Sequence, residues 1–285
     1  MTSELTIRPV VIVPVHLARP SPTDIVSLQQ CGKVLGSREI VLVSPQGLNL
    51  TAYRELLPSA TELRVEPHWM SSIEAYNRMM ISPRIVNELD GYTHMLIHEP
   101  DAIVLRDELD FWCAQPQDYI GAPWFEGFNN AVDDVQIIGV GNSGFSLQRL
   151  DALRRVFKSQ KRWYPYRLAA KDFIRGFQGN RNRLQRGFKA ISNAGLLKGA
   201  WELYDGHCDA FWSFVVPQID IKFKIASIEE SLHFSWEVLP AQCFKMNFGK
   251  LPFGIHAWAK YDLKFLLPFL IDSGVDFREM DIKFT

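Results

Sequence analysis

With 285 residues, 47% of them hydrophobic and 22% charged, the chain has an ordinary globular composition, enough for one large domain or two small ones. A formal net charge of -1 singles out no polyanionic partner. The four cysteines, Cys31, Cys113, Cys208 and Cys243, form no CxxC pair; this suits a reducing compartment and gives no structural metal site. The apolar run near the N-terminus is too short for a signal h-region with its cleavage site, or for the roughly 20 residues of a membrane span. The composition therefore reads as cytoplasmic.

In chain order, Val10 to Val13 is a β-branched run ending at Pro14, the pattern of a buried first strand. Thr23 or Asp24 can cap a helix running to about Leu35, with Gly36 just past its end. Ile40 to Val43 is a second buried strand and Leu63 to Val65 a weaker third. Ser71 or Ser72 precedes a helix over Ile73 to Met80, which resumes after Pro83 and ends by Gly91. His94 to His98 is the next strand. Strands alternating with helices imply an α/β fold with a mostly parallel sheet, and in such sheets ligands bind beyond the carboxyl ends of the strands. Further on, Asp107 to Cys113 reads as a short helix, Tyr119 to Trp124 as a strand entering a turn, and Val135 to Ile138 as another strand. Gly139 to Gly144 reads as a flexible loop, Phe145 to Leu147 as a strand before a helix from about Gln148, and Asp209 to Val216 as an apolar helix. No repeat or linker divides residues 1–285, so a single domain is expected.

The charge is unevenly spread. From Arg154 to Lys198 there are 13 Lys and Arg against one acid, Asp172, so a basic helical insert at about 154–200 sits in an otherwise acidic chain. Trp163, Tyr164 and Tyr166 lie among its cations. Basic and aromatic residues together suit an anionic membrane surface or an acidic lipid-linked acceptor. A solvated helical hairpin has the same composition. No helix-turn-helix, RNP or zinc signature points to nucleic acid.

The chemistry concentrates in Glu99-Pro100-Asp101, which interrupts an apolar run at the end of a strand. Two carboxylates there suit a hard divalent cation that keeps open positions for phosphates; a solvated turn would look the same. Gly139-Val-Gly-Asn-Ser-Gly144 matches GxGxxG literally, but it lies mid-chain with no acid about 20 residues on, which argues against NAD or FAD. His94 and His98 share a strand face about 13 Å apart, too far for a zinc pair. Asp209 is either the N-cap of its helix or a general base for a weakly nucleophilic hydroxyl. His256, between aromatic residues, is either a buried residue or a ligand.

Seven motifs in order resemble a little-characterised family of GT-A-fold glycosyltransferases, found as a domain of unknown function in bacteria and fungi. They are Val10-Val-Ile-Val-Pro-Val15, Ser72-Ile-Glu-Ala-Tyr-Asn-Arg78, Glu99-Pro-Asp-Ala-Ile-Val104, Gly121-Ala-Pro-Trp124, Gly141-Asn-Ser-Gly-Phe-Ser-Leu147, Cys208-Asp-Ala-Phe-Trp212 and Pro252-Phe-Gly-Ile-His-Ala-Trp258. The resemblance implies a GT-A-like sheet flanked by helices, a Mn²⁺ or Mg²⁺ cofactor, a nucleotide-sugar donor (a UDP-sugar favoured) and a glycan or lipid-linked acceptor. It places the metal on Asp101 and His256. It places the donor against Val13, Pro14, Val15, Tyr76, Asn77, Glu99 and the loop Gly141, Asn142, Ser143, Gly144. Asp209 would be the catalytic base; Cys208 stands where the family has a Glu. The implied activity is an inverting transferase of surface polysaccharide synthesis, cytoplasmic and peripheral at the inner membrane face. A retaining transferase and a non-catalytic carbohydrate- or nucleotide-binding domain remain as alternatives.

Overall fold

The computed structural model describes residues 6–158 and 200–280. The basic insert lies outside the described residues except at its two ends, and with it the reading of a membrane-binding surface. No helix among the described residues is long and apolar enough to cross a membrane.

The first half alternates as expected: β1 (Pro9–Pro14), α1 (Pro22–Leu35), β2 (Ile40–Pro45), α2 (Thr51–Leu56), β3 (Thr61–Val65), α3 (Ile73–Met80), α4 (Pro83–Glu88) and β4 (His94–His98). Then come β5 (Ile103–Val104), α5 (Leu109–Cys113), β6 (Tyr119–Ile120), β7 (Ala122–Phe125), β8 (Ile137–Gly141), β9 (Phe145–Arg149) and α6 (Leu150–Lys158). The main sheet has the order β3-β2-β1-β4-β9-β6. β1, β2, β3 and β4 run parallel, and β9 is antiparallel to both β4 and β6. The expected α/β class, a mostly parallel sheet flanked by helices, is the one observed.

The central strands carry long apolar runs because both sheet faces are covered. Val10 and Ile12 pack into one core, with Met95, Ile97 and the residues of α3, α4 and α6. Val11 and Val13 alternate to the other face, with Leu96, Leu28 and Leu35 of α1 and Tyr53 of α2. The chain turns from β1 to β2 and β3 on one side and returns to place β4 on the other. The switch in strand order therefore falls between β1 and β4, where a crevice opens beyond their carboxyl ends.

Several local expectations are corrected. α1 is capped by Ser21, not Thr23 or Asp24; Pro22 takes the first helical position, and Asp24 closes a capping box with Ser21. The strand expected at Val135 begins at Ile137 and runs through Gly141, pairing with β7. Gly139 and Gly141 are thus strand residues, and only Asn142 to Gly144 form the turn. Tyr119 to Trp124 is not one strand, since β6 joins the main sheet and β7 pairs with β8.

Beyond the insert, the helical stretch is α7 (Cys208–Ala210), a π-turn (Phe211–Val215) and α8 (Val216–Ile219). Its N-cap is His207, which makes no side-chain cap, so Asp209 is not the cap. Two short strands complete the site: β10 (Ser235–Trp236) and β11 (Gly254–Ile255) are parallel, and β11 is antiparallel to β5.

Candidate active site

The chain leaves β4 at Glu99. The Glu99 N–H donates to the Gly144 carbonyl at 2.8 Å, and the Ala102 N–H donates to the Glu99 carbonyl at 2.9 Å. This tight turn sends Glu99 and Asp101 toward the crevice before the chain re-enters the core as β5. His256 reaches the same point from β11, where its own N–H donates to the Trp236 carbonyl at 2.8 Å. Its Nε2 lies 3.5 Å from Glu99 Oε2 and 3.3 Å from Asp101 Oδ1.

Two of these side chains, Glu99 and His256, are oriented from behind. The Tyr76 hydroxyl of α3 donates to Glu99 Oε1 at 2.9 Å, which leaves Oε2 to face His256. His256 Nδ1 lies 3.1 Å from Glu237 Oε1. Asn142 Nδ2 donates to Glu237 Oε2 at 2.8 Å and lies 3.0 Å from His256 Nδ1. Asn142 adopts the left-handed conformation, with φ 78°, and its Oδ1 accepts from the Gly144 N–H at 2.7 Å. The Tyr119 hydroxyl fixes the Asn142 carbonyl at 2.8 Å. Glu237, Asn142 and Tyr119 therefore act on the imidazole and hold its Nε2 toward the two acids.

The donor set fits a divalent metal. One ligand atom each from Glu99, Asp101 and His256 lie within 4.8 Å of one another. Two atoms bound to one small ion at about 2.1 Å lie at most roughly 4.2 Å apart, so the contacts of His256 with Glu99 and Asp101 are within reach. A carboxylate on the far nitrogen of a ligating histidine is the usual means of fixing its tautomer, and Glu237 stands there. Without a cation, the same acids favour imidazolium. Burial alone would lower the His256 pKa, but hydrogen bonds to Asp101, Glu237 and Glu99 raise it well above 6.5. Burial would raise Asp101, and His256 outweighs this and lowers it.

A cavity of about 590 Å³ opens onto these acids. Pro14, Val15, His16 and Leu17 line it beyond β1, with Asp24 of α1 and Tyr53 of α2. Ser72, Ile73, Tyr76 and Asn77 form the α3 wall, and Glu99, Pro100, Asp101, Ser143 and His207 close the far side. Among the described residues, no Lys or Arg lines this cavity. Lys260, exposed nearby, has its pKa raised by its hydrogen bond to Tyr261 and by the charges of Glu237 and Asp101.

Of the residues expected against the donor, Pro14, Val15, Tyr76, Asn77, Glu99 and Ser143 line the cavity. Val13 does not: it is fully buried in the sheet and pairs with Leu42. Gly141 packs on Trp124, where a Cβ would meet the indole at 1.9 Å. Asn142 is buried and committed to Glu237 and His256, and Gly144 lies against His256 rather than the cavity. The polar ends of Tyr76 and Asn77 are also engaged, since Asn77 Oδ1 accepts from the Cys208 N–H at 2.8 Å. Asn77 thereby fixes the start of α7, which carries Asp209.

Asp209 stands in the first turn of α7, with Oδ1 accepting from the Ala210 N–H at 2.8 Å. Burial raises its pKa, and the charges of Glu237 and Glu99 add to the shift. Asp209 itself is not among the residues lining the cavity, though His207, two residues before it, is. His94 and His98, set aside as a zinc pair, are buried in β4, and burial lowers each to a pKa of about 4, so both are neutral near pH 7.

The family model described as protein of unknown function (DUF5672) matches residues 60–256. Among solved structures the chain is similar to the galactosyltransferase LgtC in complex with donor and acceptor sugar analogues, at 9% identity and a TM-score of 0.48, covering 87% of this chain and 86% of that one. It is similar to the glycosyltransferase GlyE of Streptococcus pneumoniae at 12% identity and a TM-score of 0.43, covering 98% and 67% of the two chains. A third is core-mannan synthase A of Aspergillus fumigatus in its Mn/GDP form, at 10% identity and a TM-score of 0.40, covering 74% and 73%. No curated protein sequence matches the chain.

Proposed function

The chain belongs to the DUF5672 family, and we propose that it is a metal-dependent glycosyltransferase that moves a sugar from a nucleotide-diphospho-sugar to a glycan or lipid-linked acceptor. The observation that carries this reading is the convergence of Glu99, Asp101 and His256 on one point, with Glu99 and Asp101 lining a cavity at the sheet's switch point. Asp101 and His256, with Glu99 beside them, would hold Mn²⁺ or Mg²⁺. When bound, the ion neutralises negative charge on the diphosphate leaving group.

The charge of the cavity supports the same reading. Among the described residues, its lining includes Asp24, Glu99 and Asp101 and no Lys or Arg. A diphosphate laid against these carboxylates would be repelled, and a counter-cation held by the acids would relieve that repulsion. The remaining work falls to side chains. Tyr76 orients Glu99, and Glu237 and Asn142 orient His256. Asp209 accepts the proton of the acceptor hydroxyl as that oxygen attacks. Its raised pKa suits the role, because a base is most effective with a pKa near the working pH. A single base and direct displacement make the reaction inverting.

Calorimetry tests the reading, first with UDP, the favoured nucleotide, then with GDP. Binding with Mn²⁺ present should be strong, and weaker by at least about tenfold after chelation or in Asp101→Ala. Equal affinity in all three conditions would remove the metal, and with it the proposed reaction.

A further inference from the structure

We propose that the exposed aromatic surface formed by the β7–β8 hairpin and the π-turn binds a sugar residue of the acceptor glycan, adjoining the hydroxyl that reacts. This rests on the transferase reading above.

The surface is unusually apolar for exposed residues: Phe128 is 50% exposed, Val132 66%, Ile138 45% and Phe214 41%. Large contiguous apolar patches on a soluble surface mark binding sites. Trp124 lies between two rings, 5.8 Å from Phe128 and 5.1 Å from Phe214 between centroids. Gly139 makes room for the Phe214 ring, since a Cβ there would stand 3.3 Å from it.

Position says what covers this surface. β8 runs through Gly141 directly into Asn142, the residue that touches both Glu237 and His256. Phe214 lies on the π-turn that follows α7, and β8 packs against that turn. A π-turn closes between residues five apart, and Asp209 stands five residues before Phe214 in the helical stretch that this turn continues. Neither Asp209 nor Phe214 lines the donor cavity, so a molecule resting here whose hydroxyl reaches Asp209 is the acceptor.

The chemistry selects a sugar over a lipid surface. Asn129, Asn130 and Asp133 are exposed in the connection between β7 and β8. A pyranose presents a face of C–H bonds and an edge of hydroxyls. An aromatic ring packs against the first, and amides and carboxylates accept from the second. An anionic bilayer would be repelled by the carboxylates.

The experiment incubates the protein, loaded with Mn²⁺ and whichever of UDP or GDP binds, on a printed oligosaccharide array. The wild type should be retained on a subset of glycans. Phe128→Ser and Val132→Ser should each reduce that retention at least tenfold while nucleotide affinity, measured separately, stays within twofold. Val132 is highly exposed, so its variant guards against a folding artefact. Retention equal to wild type in both variants would overturn the proposal. So would a wild type that binds nucleotide but no glycan, or a dimer that Phe128→Ser splits without changing glycan retention. Failure of the wild type to bind either nucleotide with metal would instead strike the transferase reading itself.

Discussion

Gly144 lacks a side chain where His256 needs the space: a Cβ on Gly144 would stand 2.1 Å from the imidazole Nε2. The same glycine accepts a hydrogen bond from the Glu99 N–H through its carbonyl. One position in the turn therefore fixes both the acid and the imidazole of the candidate metal site. Gly144→Ala should push the ring away from Glu99 and Asp101 and leave the sheet intact. Mn²⁺-dependent nucleotide affinity should fall about tenfold or more, with an unchanged far-ultraviolet circular dichroism spectrum. Unchanged affinity would mean that His256 is not a ligand.

Glu237 makes a separate prediction, because it touches His256 only on the nitrogen that faces away from the acids. Glu237→Gln keeps a hydrogen-bonding side chain but removes the charge that fixes the imidazole tautomer. Metal affinity should drop about 10- to 100-fold, as for other outer partners of ligating histidines. Titration with Mn²⁺, followed by electron paramagnetic resonance of the free ion, would read this directly. A wild-type titration curve would reduce Glu237 to a packing role.

How far the site could be read from the sequence depends on how each residue signals itself. β1 and β4 were readable because strands covered on both faces need unbroken apolar runs. Glu99 and Asp101 stood out because acids interrupt such a run. Glu237 carries no such mark. It follows β10, a strand of two residues whose parallel pairing with β11 brings it to His256, and no periodicity can be read from two residues. Gly139 and Gly141 misled in the other direction. Glycine pairs suggest a loop, yet here Gly141 is glycine because Trp124 occupies the place of its Cβ. The sequence pointed to Thr23 or Asp24 as the cap of α1, whereas Pro22, fixed at the first helical position, makes Ser21 the cap.

The protonation of His256 gives a pH dependence whose sign can be worked out. Its folded pKa is raised well above 6.5, because Asp101, Glu237 and Glu99 together outweigh burial. The folded protein therefore holds this proton more tightly than the unfolded chain. The resulting stability is complete below about pH 6.5 and is lost as pH climbs through the raised value. Asp101, lowered by His256 against the effect of burial, contributes in the opposite direction and is lost on acidification. The melting temperature of metal-free protein should fall as pH rises from 6.5 into the alkaline range. Saturating Mn²⁺ should restore it, since the cation replaces the proton among the same acids. His256→Gln should flatten the decline; the same slope in that variant would assign it to other groups.

Asp209 is expected to act on the chemical step rather than on donor binding. Its Oδ1 accepts the Ala210 N–H, a contact that Asp209→Asn can keep through its amide oxygen. The variant therefore retains the local geometry and loses only the base. Turnover should fall by about 10² or more, while the affinity for metal and nucleotide changes little. In the wild type the acidic limb of the turnover profile should lie above that of an ordinary aspartate, because burial and the charges of Glu237 and Glu99 raise Asp209 from 3.8. The anomeric configuration of the product is the independent check. An α-linked donor should give a β-linked product if Asp209 directs a single displacement. Near-normal turnover in Asp209→Asn, together with retained configuration, would show that Asp209 only positions substrate and that the reaction proceeds without it as base.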